Sequence, residues 1–178
     1  MSKKIEDETY WATFSNWTSD VTISVPEKRT LKVFNVTVSG GALKLSRRSD
    51  DQVAMGEGVL LKSDDEYVNY KANETTALTP ADYSVNNLVA TPDNYRTNIT
   101  ADDGYTLYDL MYNDEDSYSG LGFYLGIAKS KTGVIITTDG SQITVTRGKA
   151  YLNAQTKEAT LSSGVKVSSF VLSEDFSS

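Results

Sequence analysis

"VAMGEGVL" fills residues 53–60 and "VTRGKAYL" fills residues 145–152 of this 178-residue chain. Both copies read V-x-x-G-[EK]-[GA]-x-L. Physically the phrase is a turn that feeds a core strand. Glycine takes positive φ without the clash a Cβ brings, so Gly56 and Gly148 each mark a turn. A small residue follows two positions on, Gly58 or Ala150, where a larger one is expected to clash. An apolar strand then starts, "VLLK" in one copy and "AYLN" in the other. Glu57 and Lys149 carry opposite charge at the same position, which suits a solvated turn and not a shared chemical site. The phrase therefore reads as scaffold. Two copies are too few for a solenoid, and fit two related sheets or half-barrels.

Working outward from the phrase, short alternating runs recur at near-regular spacing. "TYWATFS" puts Tyr10, Ala12 and Phe14 on one face and Trp11, expected in the core, on the other. "DVTISV" alternates until Pro26 stops it. "LKVFNVTV" slips phase at Phe34-Asn35, which predicts either a bulge or a strand buried on both faces. "SGG" is a tight turn before "ALKLS". "GVLLKS" and "EYVNYKA" flank Asp64-Asp65 and read as a hairpin. Asp139-Gly140, between "TGVIITT" and "QITVT", reads as a second hairpin turn. "EATLS" and "VKVSSFVLS" are expected as the last strands. No window keeps a helical stripe; "TPADYSVNNLV" allows one helical turn. The fold class is all-β, a two-sheet sandwich or related barrel with two similar halves and little or no helix. Residues 1–9 read as a flexible lead-in and 10–178 as a single domain. The related halves are expected around 10–72 and 105–153, joined by a long connection over 73–104 that contains one short strand, "NNLVA".

Composition narrows the function classes. Hydrophobic residues make up 39% and charged residues 23%, the mix of a globular chain. The net charge of −7 argues against binding a phosphate backbone, so no nucleic-acid partner is expected. It favours a soluble, monomeric module. Cys and His are both absent. That removes disulfides, thiolate chemistry, a Ser-His-Asp triad and the commonest zinc ligand. Catalysis would rest on carboxylates, Lys or Tyr, and the chain is expected not to be an enzyme. "MSKKIEDETYW" has no apolar h-region and no run is long enough to span a membrane. The expectation is a module of a longer exported chain.

In order, "YWATFS", "VSGGALKL", "VAMGEGVLLKS", "NNLVAT", "GLGFYLG" and "VTRGKAYLN" resemble a β-rich module of cell-surface proteins from gut and oral anaerobes, of the Bacteroides and Prevotella type. The matching residues are Ala12, Thr13 and Phe14, then 56–62, then Gly122, Phe123 and Tyr124, then 149–152. Ala54-Met55 departs from the Pro-Ala of that pattern; the acidic stretch 113–116 and the tail after Asn153 lie outside it. The resemblance implies an extracellular or cell-surface location, in adhesins, repeat proteins or polysaccharide-degrading enzymes, and brings no catalytic residues.

Three aromatic residues are candidate ligand contacts. Tyr112 and Tyr118 flank "NDEDS", and Trp17 sits in the polar run "SNWTSD". Exposed rings stack on sugars while amides and carboxylates bond hydroxyls; otherwise such rings cap the ends of a core. Asp114 and Asp116, two apart, are the candidate Ca²⁺ ligands, although the stretch lacks the Gly and Glu of an EF-hand loop and also reads as a solvated acidic turn. Arg47-Arg48 before Asp50-Asp51 reads as a turn with local, exposed ion pairing. The expected function is a non-enzymatic module with a structural or adhesive role. The alternative is a carbohydrate-binding module that carries an appended enzyme to plant or host polysaccharide. The partner is accordingly a polysaccharide or a surface protein.

Overall fold

The computed structural model describes residues 3–5, 9–48, 50–73, 78, 86–92, 96–113 and 120–172. Among them there are seventeen strands and no helix. One five-stranded antiparallel sheet has the order β1 (Lys3–Ile5), β2 (Thr9–Phe14), β7 (Val59–Ser63), β4 (Leu31–Ser39), β5 (Ala42–Arg47). The second has the order β17 (Ser169–Val171), β12 (Gly120–Leu125), β11 (Tyr105–Asn113), β16 (Ala150–Gln155), β9 (Leu88–Ala90). The inner faces share one core. Trp11, Phe34, Val36 and Leu60 come from the first sheet; Leu88, Tyr108, Phe123 and Leu152 come from the second. This is a sandwich whose sheets do not close into a barrel.

Each sheet also carries a cover on its outer face. The sheet β6 (Gln52–Val53), β3 (Val21–Ser24), β8 (Asn69–Ala72) contributes to a cluster of Val21, Ile23, Leu31, Val33, Val53, Val59 and Leu61. On the other side β10 (Arg96–Thr100) pairs with β15 (Gln142–Thr146), and Ile143 and Val145 pack with Leu107 and Tyr151. The large sheets are therefore apolar on both faces over part of their area. This accounts for the phase slip in β4. Leu31 and Val33 face the outer cluster, Phe34, Val36 and Val38 face the inner core, and the alternation runs unbroken.

The two halves repeat one topology. The order β2-β7-β4-β5 in one sheet matches β9-β16-β11-β12 in the other, and β3 pairs with β6 as β10 pairs with β15. Phe34 opposite Leu60 corresponds to Tyr108 opposite Leu152. The second half inserts β13 (Ala128–Lys129) and β14 (Ile135–Thr137), paired with each other. The repeat thus starts its second round at β9 and not at β11. Two of its strands, β9 and β10, lie inside the stretch 73–104 read from sequence as a connection.

Two expected hairpins are absent. β7 pairs with β2 and β4, while β8 pairs with β3. Likewise β14 pairs with β13, while β15 pairs with β10. In both places the chain leaves a large sheet for a cover, or a small pair for a cover, so the turn residues bend the chain without pairing its flanks. The Ser39 to Ala42 turn is a true two-residue hairpin, with Gly40 and Gly41 at φ +59 and +79. Of the last expected strands, Ser169–Val171 forms β17, and Thr160 makes one isolated bridge with Lys166.

The repeated phrase is the joint between the halves. Gly56 and Gly148 have φ +82 and +84, and the following amides close the same turn, Glu57 N–H to Ala54 O at 3.0 Å and Lys149 N–H to Thr146 O at 3.2 Å. Each turn then bonds to the other half, the first at β9 and the second at the residue just past β2. Glu57 bridges Val89, and Ser15 N–H donates to Gly148 O at 3.0 Å. The two small residues meet here. A Cβ added at Gly58 would lie 2.9 Å from the Val89 carbonyl carbon and 3.0 Å from the Ala150 Cβ. Asn86 adds a buried clamp, accepting from Val36 N–H at 3.1 Å and donating to Gly58 O at 2.8 Å.

Glu57 departs from the solvated turn expected for it. It is fully buried, receives the Arg48 guanidinium, and accepts the Ala54 N–H at 3.2 Å. The Arg47-Arg48 segment is likewise not a merely exposed ion-paired turn, since Arg48 reaches inward to this carboxylate as well as to Asp50 at 3.9 Å.

Candidate functional site

Beside this joint the described residues form an open groove of about 430 Å³. Phe14, Asn16, Trp17, Thr18 and Tyr70 line it on one side, and Thr146, Arg147 and Gly148 on the other, with Ser15 between them. Its volume falls in the range of small-molecule sites, roughly 300–1,000 Å³. The walls come from three remote segments: the end of β2, the middle of β8 and the turn of the second phrase.

Local chemistry holds each wall. After β2 the chain turns at Asn16, whose side-chain oxygen accepts from Thr18 N–H at 2.9 Å, Thr18 O–H at 2.8 Å and Ser19 N–H at 3.2 Å. This local amide turn aims the intervening Trp17 away from the core. The ring rests on the Gly56 turn, whose Cα hydrogen side it covers; a Cβ there would lie 3.5 Å from it, an ordinary contact. Asn16 O accepts from Gly56 N–H at 2.7 Å and fixes that seat. Asp20 closes the loop by accepting from Met55 N–H at 2.8 Å and from Leu78 N–H, and these amides hold its carboxyl below the usual value. Tyr70 stands on β8 opposite Ile23 and meets Phe14 edge to face at 5.6 Å. Trp17 keeps 41% of its surface exposed and Tyr70 53%, so both present ring area to solvent at the groove. The opposite lip is tied down by Ser15, whose hydroxyl donates to Lys149 O.

On the other side of the Thr146 turn lies a smaller cleft of about 170 Å³, lined in part by Thr13, Thr91, Asp109 and Lys149. Two of its hydroxyls already serve the joint. Thr13 Oγ1 accepts from Ala150 N–H at 3.1 Å, and Thr91 O–H is shared between Thr146 O and Lys149 O at 3.0 and 3.1 Å. The wider groove is therefore the better candidate for a ligand.

Of the residues singled out from sequence, Trp17 lines the groove. Tyr112 is 55% exposed at the end of β11, opposite Leu121, and does not line it. Tyr118, Asp114 and Asp116 lie outside the described residues, and so does the test of the calcium expectation. Among the described residues no three carboxylates gather as a metal site. Sequence reading missed Tyr70, Phe14 and Arg147. The one local hint was Tyr70 in the short run "EYVNYKA", whose alternation marks a strand but not which face would stay open.

Compared with known sequence families, curated proteins and solved structures, the chain matches none.

Proposed function

We propose that this chain is a non-enzymatic, adhesive β-sandwich module of a cell-surface or secreted bacterial protein, and that it holds a polysaccharide in the groove beside Trp17. One observation carries the reading: two part-exposed rings, Trp17 and Tyr70, line a single groove together with an amide and hydroxyls. Sugar rings offer a flat C–H face to aromatic carbon and a rim of hydroxyls to polar groups, so mixed lining of this kind suits them. The absence of His and Cys removes imidazole and thiol catalysis, and among the described residues that line the groove there is no carboxylate to serve as acid or base, which supports a binding role. The resemblance to surface modules of gut and oral anaerobes supports the exported location.

The test is electrophoresis of the chain through gels that contain single plant or host polysaccharides. Retardation by at least one is expected. Trp17→Ala should weaken it about thirtyfold, the ~2 kcal/mol of a central aromatic contact, with the circular dichroism spectrum unchanged. Polysaccharide recovered after long incubation should keep its chain length. Migration unaltered in every gel would refute the glycan reading and leave a structural or protein-adhesive role.

A further inference from the structure

The second half carries a hairpin that the repeat does not need. Where the first half runs from β5 straight to β6, the second runs from β12 through β13 and β14 before it reaches β15. The insert adds nothing to the apolar clusters. Val134, Ile135 and Ile136 are 64%, 53% and 56% exposed, and no residue from Lys129 to Asp139 is buried. Its tip is a closed turn: Gly133 N–H donates to Ser130 O at 3.0 Å and Ser130 N–H to Val134 O at 2.7 Å, with Gly133 at φ +87. Single apolar residues on a surface are ordinary. Three in succession on an edge strand, with no charge or proline among them, are not.

The charge around the hairpin runs against the net −7 of the chain. Between Asp116 and Asp139 the sequence has no Asp or Glu. Lys129 and Lys131 are exposed on the hairpin, and among the described residues neither belongs to an ion pair. Lys166 Nζ donates to Asp139 O at 3.0 Å, which brings a third ammonium to the base. The Asp139 carboxylate itself is taken up by Thr137 and Ser141.

We propose that this hairpin docks on an anionic lipid surface, with Val134, Ile135 and Ile136 entering the acyl boundary and Lys129, Lys131 and Lys166 meeting the headgroups. Apolar side chains beside lysines suit such an interface, because the apolar area enters while the ammonium groups attract anionic headgroups. The contact is interfacial and does not span the bilayer. Two observations favour lipid over a protein partner. Three side chains make a patch well short of the about 800 Å² that each partner buries in a stable interface. The hairpin is also exposed along its whole length, so a strand added at its edge would leave apolar surface in water, whereas lipid surrounds the tip. None of its residues lines the groove, so the inference stands apart from the glycan reading.

The experiment is co-sedimentation of the full chain with vesicles of phosphatidylcholine, with and without phosphatidylglycerol. Binding to the mixed vesicles is expected, weaker on phosphatidylcholine alone and weaker at high salt. Lys129→Gln together with Lys131→Gln should lose roughly fivefold per charge removed. Ile135→Ser together with Ile136→Ser should lose about tenfold or more, with the circular dichroism spectrum and any retardation by polysaccharide unchanged. Trp17→Ala should leave vesicle binding as it was. No binding to the mixed vesicles, or binding that survives the isoleucine changes, would overturn the proposal. Equal binding to both vesicle types would overturn its anionic part. Self-association of the chain that the isoleucine changes abolish, without vesicle binding, would give the edge to a second copy instead.

Discussion

A fully buried carboxylate at the joint of two half-molecules has to be compensated. Glu57 meets Arg48, which keeps only 14% of its side-chain surface exposed, and a backbone amide. The attraction in such a pair is offset by desolvation of both ions, so its net value is small. Removing one partner, however, strands the other. Arg48→Met is therefore expected to cost about 3–5 kcal/mol in urea unfolding. Adding Glu57→Gln, which keeps the acceptor for Ala54 N–H, should recover a large part of that loss. A double variant no more stable than Arg48→Met alone would show that the arginine acts through packing and not through the charge.

Among the elements, the turn before β15 depends on one aspartate. Asp139 accepts from Thr137 O–H at 2.6 Å and from Ser141 N–H at 3.0 Å, and bonds from Ser141 and Thr137 hold its carboxyl far below the ordinary 3.8. Gly140 follows at φ +78, pressed so close that a Cβ would lie 2.9 Å from Leu107 O. The folded state thus binds a proton at Asp139 less readily than the unfolded chain does. Its contribution is present in full above the unfolded value and is lost as pH falls through the lower folded value. Asp139→Asn should flatten the fall of stability below about pH 4 and leave a smaller difference between pH 4 and 2 than the parent shows. The slope measured by thermal unfolding at stepped pH decides this; an unchanged slope would mean that other carboxyls, Asp20 among them, carry the acid sensitivity.

For the whole molecule, the repeat has a mechanical consequence. Each half covers the outer face of its own large sheet but leaves the apolar inner face for the other half to cover. Trp11, Phe34, Val36 and Leu60 need Tyr108, Phe123 and Leu152 opposite them. The turns also cross over, one bonded to β9 and the other to the residue just past β2. A fragment of residues 1–73 is expected to stay unfolded or to self-associate, and mixing it with 74–178 should restore the β spectrum. The intact chain should unfold in one cooperative step. Stable monomeric folding of the first fragment alone would mean that its outer cover, and not the shared core, sustains it.

Much of this was legible in the residues themselves. Alternation dictated strands, because a pleat sends successive side chains to opposite faces whatever lies beyond them. The doubled phrase announced two halves, since a glycine at positive φ and a small residue at a close approach are demands of the local backbone. Trp17 stood out as an indole in a polar run held by Asn16, again a local matter. Pairing was not legible. Asp64-Asp65 and Asp139-Gly140 bend the chain in the way hairpins do, but partner choice depends on which sheet face needs a cover, and that is settled only when all faces are present. Glu57 and Lys149 occupy the same position in sequence, yet one is sealed by Arg48 and the other faces water. The groove belongs to the same class: Phe14, Tyr70 and Arg147 are far apart along the chain, and only the packing of β8 on β3 and of one half on the other brings them to a common opening.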